Sequence, residues 1–350
     1  MNYLQRYLVD EFVEDYQEGR LSRRQALKLI GGITGATLAA QILAACGQEP
    51  TAAPTSAPAA APTSAPAAAA TAAPAAEATS APAAEATAAA TSAPAPTAAG
   101  TAPTAAAAAG AVPNSVPADD PAIVAETVQF PSGDAQMSAY LARPAAEGTY
   151  PIVLVCHENR GLTPHIQDVA RRVAKAGYVG VAVDLLSREG GTANVSDASG
   201  IPGLLSGAPP ARHVQDFQAG LAYAKGQAFA NPERAGMVGF CFGGGVTWLV
   251  AAGTPELRAA VPFYGPPVPE AELPKINAAV LAIYAENDSR ITSTATAVEA
   301  AMQQAGKTYR KEIYPGVDHA FHNDTGTRYS AEAAQAAWAA TLDWFKQYLA

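Results

Sequence analysis

The sequence predicts an α/β fold in which a mostly parallel central sheet carries helices on both faces. Short, continuous apolar runs such as 152–156 are typical of strands that are buried on both faces. Segments with helical periodicity alternate with these runs along the chain. This alternation favours parallel strands joined by helices, and ligands of such sheets collect at the carboxyl ends of the strands.

The predicted elements follow one another in a regular order. Strands at 123–130 and 136–143 alternate apolar and polar residues around the turn Ser132-Gly133-Asp134, which predicts an antiparallel hairpin. The segment 185–210 is rich in Gly, Ser and Pro, and we expect an irregular lid or wall over a site. Further strands are predicted at 152–156, 178–183, 235–239, 259–263, 280–284 and 307–314, and helices at 164–175, 212–225, 242–252, 293–304 and 330–349.

Composition divides the 350 residues into three parts. Residues 47–118 are almost entirely Ala, Pro, Thr, Ser and Gly, with the unit Thr-Ser-Ala-Pro repeated, and bury too little apolar surface to fold. We predict a disordered linker there and a folded domain at 119–350. The net charge is −9 with no basic stripe, which argues against nucleic acid as a partner, and three cysteines are too few for a disulfide framework.

The N-terminal segment 1–46 is predicted to be an export signal. Ser22-Arg23-Arg24-Gln25-Ala26-Leu27-Lys28 resembles a twin-arginine motif, and the uncharged stretch 29–45 is too short and Gly/Ala-rich for a membrane span. Leu43-Ala44-Ala45-Cys46 resembles a lipobox, which makes Cys46 the candidate lipidation site, although Cys46 could be incidental to an ordinary signal. A short amphipathic helix is predicted at 3–16. We expect an exported protein tethered to the outer face of the cytoplasmic membrane, or else secreted or periplasmic.

A glycine-flanked cysteine is the first candidate for chemistry. Gly239-Phe240-Cys241-Phe242-Gly243-Gly244 follows a predicted strand and opens a helix, which is the pattern of a nucleophile elbow with Cys in place of Ser. A helix N-terminus there favours a thiolate. Taken alone, the pattern is explained equally well by tight packing of strand on helix.

Two further residues follow predicted strands in the order of a catalytic triad. Asp288 comes after the strand at 280–284 and His319 after the strand at 307–314. His319 would withdraw the thiol proton and Asp288 would orient the imidazole. The alternatives are an ordinary turn role for Asp288, with Glu286 and Asp318 as competing carboxylates, and His322 as a competing histidine.

The loop after the strand at 152–156 is unusually rich in ionisable residues. It reads His157-Glu158-Asn159-Arg160-Gly161-Leu162, and one backbone N–H of an oxyanion hole is expected from this loop, with Phe242 giving the other. Glu158 is either a structural partner of Arg160 or a second carboxylate that faces the thiol. Cys156 is expected to be a small buried hydrophobe.

Taken together, residues 122–350 resemble the dienelactone hydrolase family of the α/β-hydrolase fold. The motifs are His157-Glu158-Asn159-Arg160-Gly161, the elbow at Cys241, Ala285-Glu286-Asn287-Asp288 and Asp318-His319-Ala320-Phe321. The resemblance implies a triad of Cys241, His319 and Asp288, with Glu158 contacting the resting cysteine and helping to generate the thiolate. It also implies an oxyanion hole of the Asn159 and Phe242 N–H groups, and hydrolysis of an enol lactone through an acyl-enzyme, with no metal or cofactor.

One region departs from the family pattern. Family members bind the substrate carboxylate with two arginines, one shortly after the catalytic His, whereas this chain reads Ala320-Phe321-His322-Asn323-Asp324. Arg212, Tyr264 and His322 are the candidate substrate contacts. The partner is expected to be a small ester or lactone, with the membrane reached through the lipid anchor and the chain a monomer.

Three functions remain open at this stage. The first is hydrolysis of small esters or lactones, and the second is an extracytoplasmic carbohydrate or polymer esterase. The third is a surface binding module whose catalysis has lapsed. A thiol-redox role for Cys241 is disfavoured because the chain lacks a CxxC motif.

Overall fold

The computed structural model describes residues 1–46 and 115–350, which belong to one compact unit. The linker predicted at 47–118 lies outside these residues except for its last four. An eight-stranded sheet runs through the unit, with helices packed against it. Its strands are β1 Ile123–Ser132, β2 Ala135–Pro144, β3 Tyr150–Cys156, β4 Val179–Asp184, β5 Ala230–Phe240, β6 Ala259–Phe263, β7 Ala279–Ala285 and β8 Tyr309–Tyr314.

The strand order confirms the mostly parallel α/β-hydrolase sheet. The order is β1-β2-β4-β3-β5-β6-β7-β8, in which β1 and β2 form the predicted antiparallel hairpin and β3 to β8 run parallel. β3, β4, β6 and β7 are buried almost throughout, as their apolar sequences predict. The carboxyl ends of β3, β5, β6 and β7 therefore meet at one edge of the sheet.

Ten helices lie within the described residues, and several begin or end close to their predicted limits. α4 Pro164–Lys175 matches its prediction. Three others differ from theirs by one or two residues: α6 Pro210–Lys225, α7 Phe242–Gly253 and α10 Ala331–Leu349. The predicted helix at 293–304 is confirmed as α9 Ala295–Gln304, which begins two residues later than predicted and follows the short helix α8 Ser289–Thr292. The segment 185–210 is more regular than predicted, because it contains three 3₁₀ turns and a short helix. The helices are α1 Tyr3–Gln17, α2 Arg23–Thr34, α3 Ala36–Cys46, α4 Pro164–Lys175, α5 Ile201–Gly207, α6 Pro210–Lys225, α7 Phe242–Gly253, α8 Ser289–Thr292, α9 Ala295–Gln304 and α10 Ala331–Leu349.

The N-terminal helices pack on the rest of the unit rather than standing apart from it. The amphipathic helix predicted at 3–16 is confirmed as α1, which Asn2 and Gln5 cap reciprocally. Leu4 and Leu8 are fully buried on its inner face. α2 lies so close to α5 that a Cβ on Gly203 would come 2.5 Å from the carbonyl oxygen of Gly32. The sequence did not predict this docking.

The uncharged stretch at 29–45 is divided between two helices. Gly35, with φ of 86°, ends α2 and separates it from α3. Neither of these helices, nor any other in the described ranges, has the length and apolar character needed to cross a membrane.

Candidate active site

Cys241 occupies a strained turn between β5 and α7. Its φ of 58° and ψ of −122° are unusual for a residue with a side chain, and the turn holds it at the N-terminus of α7. A Cβ on Gly239 would lie 2.3 Å from the Gly243 carbonyl oxygen, and one on Gly243 would lie 2.4 Å from that of His157. Both glycines are therefore required by close backbone approach, as the elbow pattern predicts.

His319 and Asp288 lie beside this turn and contact each other. The two atoms His319 Nδ1 and Asp288 Oδ2 are 2.6 Å apart, and both side chains are buried. The competing carboxylates point elsewhere: Glu286 accepts a hydrogen bond from the Gly316 N–H, and Asp318 accepts one from the Asn287 amide. Of these three carboxylates, Asp288 is therefore the one in contact with the imidazole.

The competing histidine, His322, lies in the core. Its ring stacks on Phe240 with centroids 4.8 Å apart and also packs edge-on against Phe263. Burial holds its pKa well below the usual histidine value, with the positive neighbours His165 and Arg172 adding to the effect. A neutral ring in an aromatic environment is a packing residue, so His319 is the histidine available for chemistry.

Helix α1 places two side chains directly against the cysteine and the histidine. Tyr7 Oη lies 3.3 Å from Cys241 Sγ and 3.3 Å from His319 Nε2. The Glu11 carboxylate accepts from the thiol, with Sγ–O distances of 3.6 and 3.8 Å. Tyr7 and Glu11 are 5% and 3% exposed, so the N-terminal helix seals this part of the site. Sequence reasoning missed both residues, because nothing in an amphipathic helix pattern names the surface that it covers.

The pKa values of Cys241, His319 and Asp288 depend on one another's charges. Burial raises the pKa of the Cys241 thiol and the Glu11 charge raises it further, against an opposing contribution from His319. Burial would lower the pKa of His319, but the negative neighbours Asp288, Cys241 and Glu11 outweigh it and hold that pKa well above its usual value. Burial would raise the pKa of Asp288, but the charge of His319 and its hydrogen bond reverse the direction and lower it. The pKa shifts of Cys241 and His319 therefore both favour the protonated form of the group.

Glu158 has a different partner from the one that the resemblance implied. Asn323 Nδ2 donates to Glu158 Oε2 at 2.6 Å, and the carboxylate in contact with the thiol is that of Glu11. Burial raises the pKa of Glu158. The neighbouring Asn159 donates its side-chain amide to Glu11 at 3.4 Å, so the two buried carboxylates are linked through this loop.

The predicted oxyanion donors are positioned at the two strand ends. Phe242 is the first residue of α7, where its N–H has no acceptor in the preceding helical turn. Asn159 lies in the loop after β3, which is the strand beside β5. The two residues thus lie at adjacent strand ends, and the oxyanion hole itself stays a prediction.

A cavity of about 910 Å³ adjoins the site between the N-terminal helices and the domain. Cys241, His319, Glu158 and Asn323 line it on one side, and residues of α1 and α2 on the other. Its charged lining residues are Glu11, Asp15, Lys28, Glu158, Arg160 and Arg328, with His165 beside them. Arg328, which sequence reasoning did not select, forms an ion pair with Asp15 at 3.4 Å.

The three candidate substrate contacts do not line this cavity. Arg212 forms an ion pair with Glu189 at 3.0 Å, and His322 is packed in the aromatic core. Tyr264, with φ of 37°, packs edge-on against the His319 ring at a centroid distance of 5.0 Å. Tyr264 therefore supports the histidine, whereas Arg212 and His322 lie apart from the cavity.

Glu11, Cys241 and His319 also have the residue types of a metal site. Their ligand atoms lie within 4.8 Å of one another, and among the described residues they are the one such group. Thiolate, imidazole and carboxylate together would suit Zn²⁺. The contacts present are hydrogen bonds that use the same atoms, so metal binding would compete with the thiol–imidazole pair.

The fold is that of an α/β-hydrolase, and Cys241 lies at the sharp turn between β5 and α7. The family model for the dienelactone hydrolase family matches residues 137–349, and the chain belongs to that family. It is therefore a hydrolase of the dienelactone hydrolase type, similar to the carboxymethylenebutenolidases.

Relatives and solved structures agree with this family. A "Putative carboxymethylenebutenolidase" of Methylorubrum extorquens is 37% identical over 246 residues, which cover 67% of this chain and 84% of the relative. One of Escherichia coli is 35% identical over 249 residues, with 67% and 90% covered. The crystal structure of a "Putative Dienelactone Hydrolase" from Klebsiella pneumoniae has a TM-score of 0.61 at 35% identity and covers 65% of this chain and all of that one.

Proposed function

We propose that this protein hydrolyses small carboxylic esters or lactones with Cys241 as nucleophile, His319 as base and Asp288 as the residue that orients His319. The observation that carries the proposal is the 2.6 Å contact between Asp288 and Nδ1 of an imidazole whose Nε2 lies 3.3 Å from Tyr7 Oη, the atom that also lies 3.3 Å from Sγ. A carboxylate on Nδ1 leaves Nε2 as the proton-accepting atom once the ring is neutral. The strained turn at Cys241 places Sγ on the Nε2 side of the imidazole.

The reaction would proceed in two balanced steps. In the first, His319 Nε2 takes the thiol proton as Sγ attacks the carbonyl carbon, and the Phe242 and Asn159 N–H groups bind the oxygen that becomes negative. Collapse breaks the C–O bond, and His319 returns the proton to the leaving oxygen. In the second step, water gives a proton to His319 and attacks the thioester, which releases the carboxylic acid and restores the thiol.

A lactone substrate is supported by one relative and by the charges of the cavity. A Bradyrhizobium relative, 34% identical over 223 residues, carries the name "Probable 2-oxo-3-(5-oxofuran-2-ylidene)propanoate lactonase". Arg328 and Arg160 give the cavity positive groups that suit a substrate carboxylate. We propose that Arg328 takes the role of the arginine that follows the catalytic histidine in other family members, since Asn323 is committed to Glu158.

The test compares two cysteine variants of the full chain. Turnover of p-nitrophenyl acetate and of an enol lactone is measured for Cys241→Ala and for Cys156→Ala, which removes a fully buried thiol at the end of β3. We expect loss of at least roughly 10³-fold in kcat for Cys241→Ala and little change for Cys156→Ala. Equal turnover by wild type and Cys241→Ala would refute the cysteine mechanism.

We also propose that the protein is exported and anchored to the membrane through a lipid on Cys46. Support comes from the exposed Arg23 and Arg24 at the start of α2, where an export receptor can reach them. Palmitate labelling in cells should disappear in Cys46→Ala and persist in Cys156→Ala. Labelling that persists in Cys46→Ala would exclude this anchor and leave the secreted or periplasmic alternative.

A further inference from the structure

We infer that helix α1 is part of the active site, in which Glu11 holds Cys241 in its thiol form and Tyr7 stands where the substrate carbon must bind, so that α1 has to shift before reaction. This inference rests on the proposal that Cys241 is the nucleophile. It assigns functions to two residues of the N-terminal segment that lie outside the matched family region of 137–349.

The positions of the two side chains exclude a bound substrate at the sulfur. A carbonyl carbon about to be attacked lies roughly 3–3.5 Å from the nucleophile. Tyr7 Oη is already at 3.3 Å from Sγ, the nearer Glu11 oxygen is at 3.6 Å, and Cys241 is 3% exposed. Tyr7 Oη also engages His319 Nε2, the atom that must receive the thiol proton. The docked helix therefore blocks the approach of the substrate carbonyl carbon to Sγ and the transfer of the thiol proton to His319 Nε2.

The docking of α1 is specific along its whole inner face. Tyr7 and Glu11 are four residues apart and so share one face of the helix. Beyond them, Glu14 pairs with Arg290 at 3.1 Å, and the guanidinium of Arg290 lies 4.9 Å from the centre of the Tyr7 ring. At the other end, Leu4 approaches Gly245 of α7 so closely that a Cβ there would be 3.0 Å away.

The contacts of α1 pair acidic side chains of the helix with basic side chains of the domain, and they hold the helix in a single register. The Arg290 side chain is mostly buried between Glu14 and Asp288, and Asp15 pairs with Arg328 at the rim of the cavity. An ion pair at each of these points, with apolar side chains between them, is the composition of an interface rather than of an accidental cover.

The charge of Glu11 opposes ionisation of the thiol. A carboxylate this close to sulfur disfavours a second negative charge, and burial strengthens the effect. Glu11 also favours the protonated form of His319, which then has no lone pair at Nε2 for the thiol proton. The titratable and charged groups around the sulfur are Tyr7 and Glu11 on α1, with Cys156, Glu158, Tyr264, His319 and Arg328 on the domain.

The first experiment measures thiol ionisation without using turnover. The full chain is treated with iodoacetamide across a range of pH, and alkylation of the Cys241 peptide is followed by mass spectrometry. Glu11→Gln should lower the midpoint by roughly one pH unit and speed alkylation about tenfold below it. Glu11→Asp should retain most of the wild-type profile. Asp10→Asn, which removes a charge from the exposed face of the same helix, should leave the profile unchanged.

The second experiment separates the effect of the Glu11 charge from the steric covering of Cys241 by α1. Leu4→Asp and Leu8→Asp each place a charge on the buried face of α1 and should release it, with circular dichroism used to check that the domain stays folded. We expect faster alkylation at every pH and a higher kcat/KM for p-nitrophenyl acetate. A wild-type alkylation midpoint in Glu11→Gln, or a fall in kcat/KM on releasing α1, would overturn the inference. If no variant hydrolyses any ester while the alkylation results hold, the proposed reaction fails and the effect of Glu11 on the thiol stands.

Discussion

Asp288 Oδ2 lies 2.6 Å from His319 Nδ1, while Tyr7 Oη lies 3.3 Å from Nε2 of the same ring. The imidazole is thus held at both nitrogens, by the hydrolase domain on one side and by the N-terminal helix on the other. In the proposed mechanism, the first contact orients the ring for proton transfer, and the second must be broken before proton transfer takes place.

Replacing Asp288 with Asn should lower kcat by roughly 10²- to 10⁴-fold. The amide can hold Nδ1 in the wrong protonation state and offers no charge to the imidazolium that forms during attack. Steady-state kinetics with p-nitrophenyl acetate measures the effect. Asp318→Asn, beside His319 but hydrogen-bonded to Asn287, is the matched control and should keep nearly full activity.

Substitution of Gly243 by Ala should destabilise the fold and reduce activity together. The added Cβ would come within 2.4 Å of the His157 carbonyl oxygen and 2.7 Å of that of Cys156, so β3 and α7 must separate. We expect a loss of about 2–4 kcal/mol in the free energy of unfolding, measured by urea denaturation. Gly200→Ala, where a Cβ meets nothing within 4 Å, should change stability little. Equal loss in both variants would contradict the close-approach argument.

Stability should rise with pH in the mildly acidic range because of His213. Burial lowers its pKa to about 4, whereas the unfolded chain has the ordinary value near 6.5. Between these values the unfolded state binds a proton that the folded state excludes, so the free energy of unfolding increases up to about pH 6.5. The contribution amounts to about 3 kcal/mol, complete above pH 6.5 and lost as the pH falls towards 4.

The variant His213→Gln tests this dependence. An amide can still donate to the Leu205 carbonyl, which lies 3.0 Å from His213 Nε2. Urea unfolding between pH 4.5 and 7.5 should give a shallower slope than wild type, by about one proton. Parallel curves for the two proteins would show that His213 makes no such contribution.

Arg328→Gln should weaken binding of anionic substrates selectively. Arg328 lines the cavity that contains Cys241, and its charge suits a substrate carboxylate. We expect KM for a lactone that bears a carboxylate to rise about tenfold relative to KM for neutral p-nitrophenyl acetate. The neutral ester is the internal control, because any loosening of the Asp15 contact affects both substrates. An unchanged ratio would assign the carboxylate to another group.

Much of the fold was predictable because its signals are local. Buried apolar runs gave the strands of the parallel sheet, and the glycines around Cys241 gave the elbow, since both depend on neighbours in sequence. The choice of Asp288 over Glu286 and Asp318 needed coordinates, because all three carboxylates follow β7 or β8 at similar distances along the chain. Their roles are separated by hydrogen bonds to His319, to Gly316 and to Asn287.

The docked position of α1 could not be predicted in this way. Its amphipathic pattern correctly gave a helix, but the surface that it covers lies more than 200 residues away in sequence. The partner of Glu158 could not be predicted for a similar reason, since Asn323, which donates to it, lies 165 residues away in sequence.

Tyr7 and Glu11 lie upstream of Cys46, as the inhibitory segment of a zymogen lies upstream of its cleavage site. If the leader is cut before Cys46, the same cleavage that exposes the anchoring residue also removes the two side chains that cover the sulfur. Unprocessed copies inside the cell would then react more slowly with cytoplasmic esters than processed ones, and the reactivity of the Cys241 thiol would distinguish the two forms. A small-molecule thiol probe could count processed and unprocessed copies in one culture.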